Sequence, residues 1–333
     1  MPAAAWTAPG HDGVLERTER ELGPIAPDAV RVRVEACGVC RTDLHVVDGD
    51  LPPRLPAVVP GHQVVGVVVD RGGAARRFAL GDRVGIAWLR GTCGVCAWCR
   101  SGRENLCPRA TFTGWDADGG FTAETDVPEA FAYRLPADAD PVATAPLLCA
   151  GIIGFRALQR AALPPGGRLA VLGFGSSASI TAQLARAAGA EVVVITRGGG
   201  NRALAASMGF AVTAGERDLP DRGVDAAIVF APAGDLVPVA LEATLPGGTV
   251  VLAGIHMSPV PPLDYDRHLF RERDLRSVTA NTRADGMHLL RIATRLGIGP
   301  TTTTYGFEDA PRALDDLRSG RAAGSLVLLG PGA

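Results

Sequence analysis

Cysteine carries most of the chemistry open to this chain. Four of its seven cysteines, Cys93, Cys96, Cys99 and Cys107, fall in one short stretch with the spacing C-x2-C-x2-C-x7-C. A tetrahedral Zn²⁺ held by four thiolates takes its ligands from short loops that fold back on themselves, and Gly94 and Gly102 permit such turns. A site closed by four protein ligands has no open position, so this zinc is expected to be structural. Four buried or redox-active thiols are the plain alternative, and a nucleic-acid-binding zinc ribbon is a further one. Arg90, Arg100, Arg103 and Arg109 would suit the ribbon, but a formal net charge of −2 does not.

Cys37, Cys40 and Cys149 remain. A catalytic zinc needs three protein ligands and an open fourth position, and two Cys with one His is a known set. His62, in the run Pro60, Gly61, His62, is the candidate imidazole. Spacing alone leaves this triad as one option, because a single His in a β-rich region is commonly a hydrogen-bonded core residue. The tetrapeptide CGVC occurs twice, at 37–40 and 93–96, with different neighbours: more cysteines follow the second copy, and Arg-Thr-Asp-Leu-His follows the first.

The bulk properties narrow the field. All 33 basic residues counted as Lys or Arg are Arg, which excludes Schiff-base lysine, P-loop lysine and Ser-Lys chemistry. An odd cysteine count and an N-terminus without a charged-then-apolar leader pattern argue against a disulfide framework and a signal peptide. No apolar run approaches the ~18–20 residues that cross a bilayer. The near-neutral charge offers no attraction for nucleic acid or an anionic membrane. A soluble, cytoplasmic protein acting on small molecules is expected. At ~100–200 residues per domain, 333 residues suggest two domains.

Positioning elements follow from the apolar pattern. Up to about residue 140, short β-like runs (30–34, 63–69, 82–87) are punctuated by Gly and Pro, without a helical period. Residues 141–162 then show a helical stripe. Beyond it, strand-like runs at 168–172, 191–195, 226–230, 249–253 and 276–280 alternate with helical stretches, the pattern of a parallel sheet with crossovers. A helix over 309–319 and a strand over 325–329 close the chain.

The first of these parallel strands runs into Gly173, Phe174, Gly175, Ser176, Ser177, Ala178, which fits G-x-G-x-x-A between strand and helix, the dinucleotide fingerprint in its required context. Gly173 makes the turn, Gly175 lets the backbone approach a pyrophosphate, and Ala178 allows close helix–strand packing. The next strand ends in Ile195, Thr196, Arg197, with no acid to hold ribose hydroxyls. Arg197 and Arg202 are therefore candidates for a 2′-phosphate, and NADP(H) is favoured. The alternative is NAD(H), with Thr196 on a plain ribose.

In order, Cys37-to-His45, PGHQVVG at 60–66, the four-cysteine loop and the Gly-rich turn resemble the zinc-dependent alcohol dehydrogenases of the medium-chain dehydrogenase/reductase (MDR) superfamily, bacterial members most of all. The likeness spans nearly the whole chain. It implies an α/β protein: a GroES-like irregular β catalytic domain over 1–150, a Rossmann doubly wound parallel-sheet domain over 151–282, and a return to the catalytic domain over 283–333. It makes Cys40, His62 and Cys149 the catalytic zinc ligands. Asp43 then fixes the tautomer of His62, Thr42 contacts the alcohol and starts a proton relay that His45 ends at solvent, and Arg41 pairs with the cofactor pyrophosphate. Cys37 matches no ligand. Ala253, Gly254 and Ile255 would lie beside the nicotinamide, with Ile153 on its other face. Gln63 stands where the family usually carries Glu, keeping an oxygen but losing the charge. Gly324 stands where many relatives have Arg, leaving Arg41 more of the pyrophosphate. Trp88, Leu89, Trp115 and Ile255 are candidates for an apolar substrate cleft at the domain interface.

Zinc suits the implied reaction. It lowers the pKa of bound water from roughly 15.7 to about 7, and an alcohol should benefit similarly. The expectation is hydride exchange between a nicotinamide cofactor and a primary or secondary alcohol, or its aldehyde or ketone, with zinc stabilising the alkoxide in a homodimer or homotetramer. A reductase of C=C or C=N bonds, or a non-enzymatic zinc-binding protein with the same fold, are the alternatives.

Overall fold

Alternating burial in the strand Ala29–Val39 organises the first part of the protein. Val30, Val32 and Val34 are buried, while Arg31, Arg33 and Glu35 face outward. Over Ala36–Val39 burial becomes continuous. One side of this strand pairs antiparallel with Val64–Arg71. The other pairs first with Glu124–Pro128 and then, from Ala36 on, with Ser325–Leu329. Two of these outward residues gain partners across the sheet: Arg31 bonds Asp126 at 2.8 Å, and Glu35 accepts from Arg83 at 3.0 Å. The seven-stranded sheet is completed by Arg83–Ile86, Ala132–Arg134 and Thr302–Tyr305.

The structure is a computed structural model that describes residues 3–10, 12–215, 223–321 and 323–332. The chain divides into two compact units, one of residues 1–149, 280–288 and 301–333, the other of 150–279 and 289–300. The sequence places the return to the first domain at 283. In the structure, the helix Arg283–Leu296 begins in the first unit, but residues 289–300 group with the second.

In the second unit six strands are all parallel, in the spatial order Ala211–Thr213, Glu191–Ile195, Arg168–Leu172, Val224–Val229, Thr244–Leu252, Asp274–Ser277. Numbered along this unit the order is 3-2-1-4-5-6, the doubly wound dinucleotide-binding arrangement. Both faces are covered, so both sets of alternating side chains are apolar. Leu169, Val171, Val194 and Ile228 share one core with the alanines of the helices Ala150–Ala161 and Ser176–Ala187. Ala170, Leu172, Ile195 and Val229 share another with Leu236, Val237, Ala240 and Leu241 of the helix Leu236–Ala243.

Two local expectations fail. Residues 141–162 are not one helix: the run is broken at Cys149, whose φ of −134° and ψ of −68° leave the helical region. The first unit also contains a helix, Arg41–Val47, too short for any apolar period to show in sequence. No single helix among the described residues is long and apolar enough to cross a membrane.

Candidate metal centres and cofactor site

The strand Ala29–Val39 ends one residue before Cys40, which stands in extended conformation as the N-cap of Arg41–Val47. The helix therefore starts from Cys40 and carries Arg41, Thr42, Asp43 and His45 in two turns. Asp43 is 1% exposed and accepts three bonds: from the Cys40 amide at 2.9 Å, the Gly61 amide at 3.1 Å and His62 Nδ1 at 2.9 Å. A carboxylate on Nδ1 fixes the hydrogen there and leaves Nε2 with its lone pair. Nε2 lies 3.3 Å from Cys40 Sγ, and the ligand atoms of Cys40, His62 and Cys149 all lie within 4.8 Å of one another.

Metal–ligand bonds of about 2.1 Å (N) and 2.3 Å (S) at a tetrahedral angle put N and S roughly 3.6 Å apart, so the residues fit one small ion. In the absence of a cation, burial opposes charge on His62, but Asp43 and Cys40 outweigh it and push the imidazole up to about 10. The Cys40 thiol is raised by its bond with Cys149 and by burial.

Glycines shape this region. Gly61 has φ +95°, and a Cβ there would lie 2.5 Å from Phe121 and 2.8 Å from Cys37 Sγ. Gly38 leaves room for the buried side chain of Gln63, whose Cδ would be 2.8 Å from a Cβ at 38. Cys37 is 1% exposed within the apolar core and belongs to no metal-competent group among the described residues.

Thr42 is buried, Arg41 is exposed, and His45 holds Asp50 through Nδ1 at 2.7 Å. Sequence reasoning missed Asp50, although it lies only five residues from His45. Trp88 meets His62 edge-on, with ring centroids 5.0 Å apart, and stacks with Phe112 and Trp115. Phe112 was not anticipated; its place three residues before Trp115 was the available clue. Leu89, by contrast, is 2% exposed and lies in the first unit's core.

The second group unites the four closely spaced cysteines, again within 4.8 Å. Cys93 and Cys99 sulfurs are 3.9 Å apart, and those of Cys96 and Cys99 3.5 Å. Four thiolates at about 2.3 Å from a tetrahedral zinc would be roughly 3.8 Å apart. Backbone amides also point at sulfur: Cys96 N donates to Cys93 Sγ at 3.3 Å, and Arg109 N to Cys107 Sγ at 3.4 Å. The amides of Val95 and Cys96, with the Arg109 side chain, pull the Cys93 thiol down to about 5. Burial pushes the Cys99 thiol the other way, up to about 11, so of these two it is Cys93 that the surroundings favour as thiolate.

In the second unit Gly173 turns with φ +87°, and a Cβ there would be 2.8 Å from the Ala231 amide. Gly175 caps the helix Ser176–Ala187, with nothing within 4 Å of its Cβ position. Open space at a helix N-terminus, with half-buried Ser176 and Ser177 beside it, could hold an anion such as a pyrophosphate. Ala178 is 1% exposed within the core. Thr196 is buried at the end of its strand, Arg197 is exposed, and Arg202 donates to the Arg197 carbonyl. Ile153, Ala253 and Gly254 are partly buried, and Ile255 is 52% exposed. In the first unit, Gly324 has φ +82°, with a Cβ position 2.4 Å from the Thr301 carbonyl, so no side chain fits there.

The alcohol dehydrogenase GroES-like domain matches residues 26–137, and the zinc-binding dehydrogenase family matches 178–295. The Mycobacterium tuberculosis "Probable alcohol dehydrogenase AdhA" is 54% identical over 335 residues, covering 98% of this chain and 97% of that one. An alcohol dehydrogenase of Geobacillus stearothermophilus is 33% identical, with 94% and 95% covered. Among solved structures, a cinnamyl alcohol dehydrogenase of Sorghum bicolor is 27% identical with a TM-score of 0.91, covering 100% and 99%. A provisionally assigned zinc-binding dehydrogenase of Sinorhizobium meliloti, bound to NADP, is 27% identical with a TM-score of 0.86 and 99% of each chain covered. The chain belongs to the zinc-dependent alcohol dehydrogenases of the medium-chain dehydrogenase/reductase superfamily, which exchange a hydride between small alcohols and a nicotinamide cofactor.

Proposed function

We propose that Cys40, His62 and Cys149 hold the zinc at which an alcohol is oxidised or a carbonyl reduced, that Cys93, Cys96, Cys99 and Cys107 hold a second, structural zinc, and that NADP(H) is the preferred cofactor. The observation that carries this reading is the convergence of two thiols and an Asp43-held imidazole, three ligands that leave a tetrahedral ion one open position. Zinc held there supplies Lewis acidity toward the substrate oxygen, and the nicotinamide supplies or takes the hydride.

The chain's own residues do the rest. The buried Thr42 hydroxyl, two residues from Cys40, takes the alcohol proton in oxidation and passes it toward His45. His45, one helical turn on, holds Asp50 through Nδ1 and delivers the proton to solvent. The face of Trp88 and its stacked neighbours Phe112 and Trp115 favour an apolar substrate. Gln63 serves as a neutral neighbour of His62. Gly173, Gly175, Ser176, Ser177 and Ala178 bind the pyrophosphate, with Arg41 as its cation. Arg197 and Arg202 bind the 2′-phosphate above Thr196. Ile153, Ala253, Gly254 and Ile255 border the nicotinamide.

NADP(H) is supported by the absence of a carboxylate at 196–197 and by the NADP found in the Sinorhizobium meliloti relative. Six ligand thiols that must stay reduced suit the cytoplasm. A homodimer or homotetramer is supported by the outermost strand Asp274–Ser277 with exposed Leu275, and by Tyr265 and Phe270 exposed nearby in sequence. The test combines metal analysis, sedimentation, and a panel of alcohols, aldehydes, ketones and an enone run with both cofactors. Two zincs per chain and alcohol turnover lost in Cys40→Ala are expected; full activity in that variant would overturn the reading.

A further inference from the structure

A polar cluster in the first unit lies outside both metal groups and is used by no step above. Its centre is Glu104, which sits inside the seven-residue gap between Cys99 and Cys107. Glu104 belongs to the 3-10 turn Glu104–Leu106, and its carbonyl accepts from the amide of the ligand Cys107 at 3.0 Å. Just before it, the Arg103 amide donates to the Trp98 carbonyl at 2.8 Å. The backbone of Glu104 is thus set by the fold of the cysteine loop.

Its side chain, only 11% exposed, leaves the loop and meets a segment about 180 residues away. Oε1 accepts from the Arg283 amide at 2.8 Å, and Oε2 accepts from Arg283 Nη2 at 2.6 Å. The guanidinium also lies over the Phe131 ring, 4.6 Å from its centroid.

Arg283 opens the helix Arg283–Leu296, whose first amides have no partner within the helix. Glu104 therefore caps this helix from a distant loop while pairing with its first side chain. The neighbouring contacts lock the same turn. Asp285 accepts from the Thr282 amide at 2.8 Å, and Asn281 donates to the Tyr133 hydroxyl at 3.3 Å. Gly286 lies against the same ring, its Cβ position 2.4 Å from Tyr133. Residues 280–288 are the stretch of this helix and its lead-in that group with the first unit, before the chain passes to the second.

We propose that the four-cysteine loop acts through Glu104 as a clasp that holds residues 281–286 on the first unit, so that the metal of this loop governs the start of the helix at Arg283. With the loop closed on its ion, Glu104 is fixed between two ligands and the helix start is capped. With the loop open, the carboxylate is no longer held in place and the first turn frays. This rests on the four-cysteine metal assignment above, and the two can fail separately.

The test is amide hydrogen exchange on the full-length protein, read at residues 283–288, with zinc content measured in parallel. Glu104→Gln leaves every ligand intact and is expected to keep both zincs while exchange at 283–288 speeds up about tenfold or more. Arg283→Met, which keeps the amide bond to Oε1 and loses only the ion pair, is expected to speed it by less. Cys93→Ser should lose one zinc and speed exchange in the same segment to the same degree, and adding Glu104→Gln to it should give no further increase. If Cys93→Ser does not fold, stripping the loop of the folded protein with a mercurial thiol reagent serves in its place. Unchanged exchange in Glu104→Gln overturns the clasp. So does protection at 283–288 that survives loss of the loop metal, or effects of the two changes that multiply. Loss of no zinc in Cys93→Ser would instead overturn the metal assignment.

Discussion

Replacing Asp43 by Asn tests the geometry of the three-residue site with almost no change in shape. The carboxylate accepts from three N–H groups, at Cys40, Gly61 and His62. An amide can offer its single oxygen on one side only. If that oxygen serves Gly61 and His62, the NH2 faces the Cys40 amide, donor against donor, in a site 1% exposed. A buried N–H left without an acceptor costs roughly 1–3 kcal/mol. Turning the charged bond to His62 into a neutral one costs about another 1 kcal/mol. Of this total of roughly 2–4 kcal/mol, the share that falls on the metal should weaken zinc binding by about 10–100-fold, the usual size for a lost ligand-orienting contact. The assay is competition for zinc by a chromophoric chelator. The four-cysteine group, which Asp43 does not touch, provides an internal control. One zinc per chain should be lost at a chelator concentration that leaves wild type loaded, with turnover falling in step. Zinc affinity within twofold of wild type at both sites would refute the view that Asp43 sets the His62 ligand.

Cys93→Ser should remove one zinc per chain and lower Tm by about 5 °C or more while leaving measurable turnover at low temperature, as metal analysis and calorimetry would check. Loading the zinc-free triad at pH 7 should release at least one proton, because the Cys40–His62 pair, in which Asp43 and Cys40 raise the imidazole to about 10, holds a proton there that the metal displaces. Affinity therefore falls as pH drops below about 10, and calorimetry in buffers of different ionisation enthalpy counts the protons. Arg197→Ala with Arg202→Ala should cut kcat/KM for NADPH by about 10–100-fold and leave NADH nearly unchanged; NADH as good as NADPH in the wild type would remove the basis for this. Gly61→Ala should destabilise by roughly 2–5 kcal/mol, from the positive φ and the clash with Phe121 and Cys37 together, read from the denaturation midpoint.

Elements of regular period were legible in the sequence, and so was chemistry that depends on residue type. The strands from 168 to 195 and the fingerprint between them show in the apolar runs and glycines, because a sheet covered on both faces needs continuous apolar strands. The four-cysteine loop is local, so its spacing carried its geometry. The triad is not local. Cys40 and Cys149 are far apart in the chain, and only the family likeness joined them to His62 before the structure did. The short helix Arg41–Val47 and the break at Cys149 escaped because a few residues cannot establish or interrupt a 3.6-residue period. Asp50 and Phe112 had only their nearness in sequence to His45 and Trp115 as a clue, and Arg283 had none, since a side chain's neighbours depend on pairings between strands and loops that no single sequence spells out. Glu104 is an exception in retrospect: an acid inside a loop of closely spaced cysteines invites the question of which cation it serves.

The pairing of Ala29–Val39 with Ser325–Leu329 has a consequence for biosynthesis. Leu326 lies opposite Val39 and Leu328 opposite Cys37, just before Cys40. As the chain leaves the ribosome, Cys40, His62 and Cys149 all appear before the strand that closes this edge. Residues 36–39 therefore have an open backbone edge while the entire second unit is being made, and such an edge invites pairing with other chains. A chain shortened before that strand would leave the ribosome with Cys40, His62 and Cys149 all present and the strand leading to the first of them unsupported.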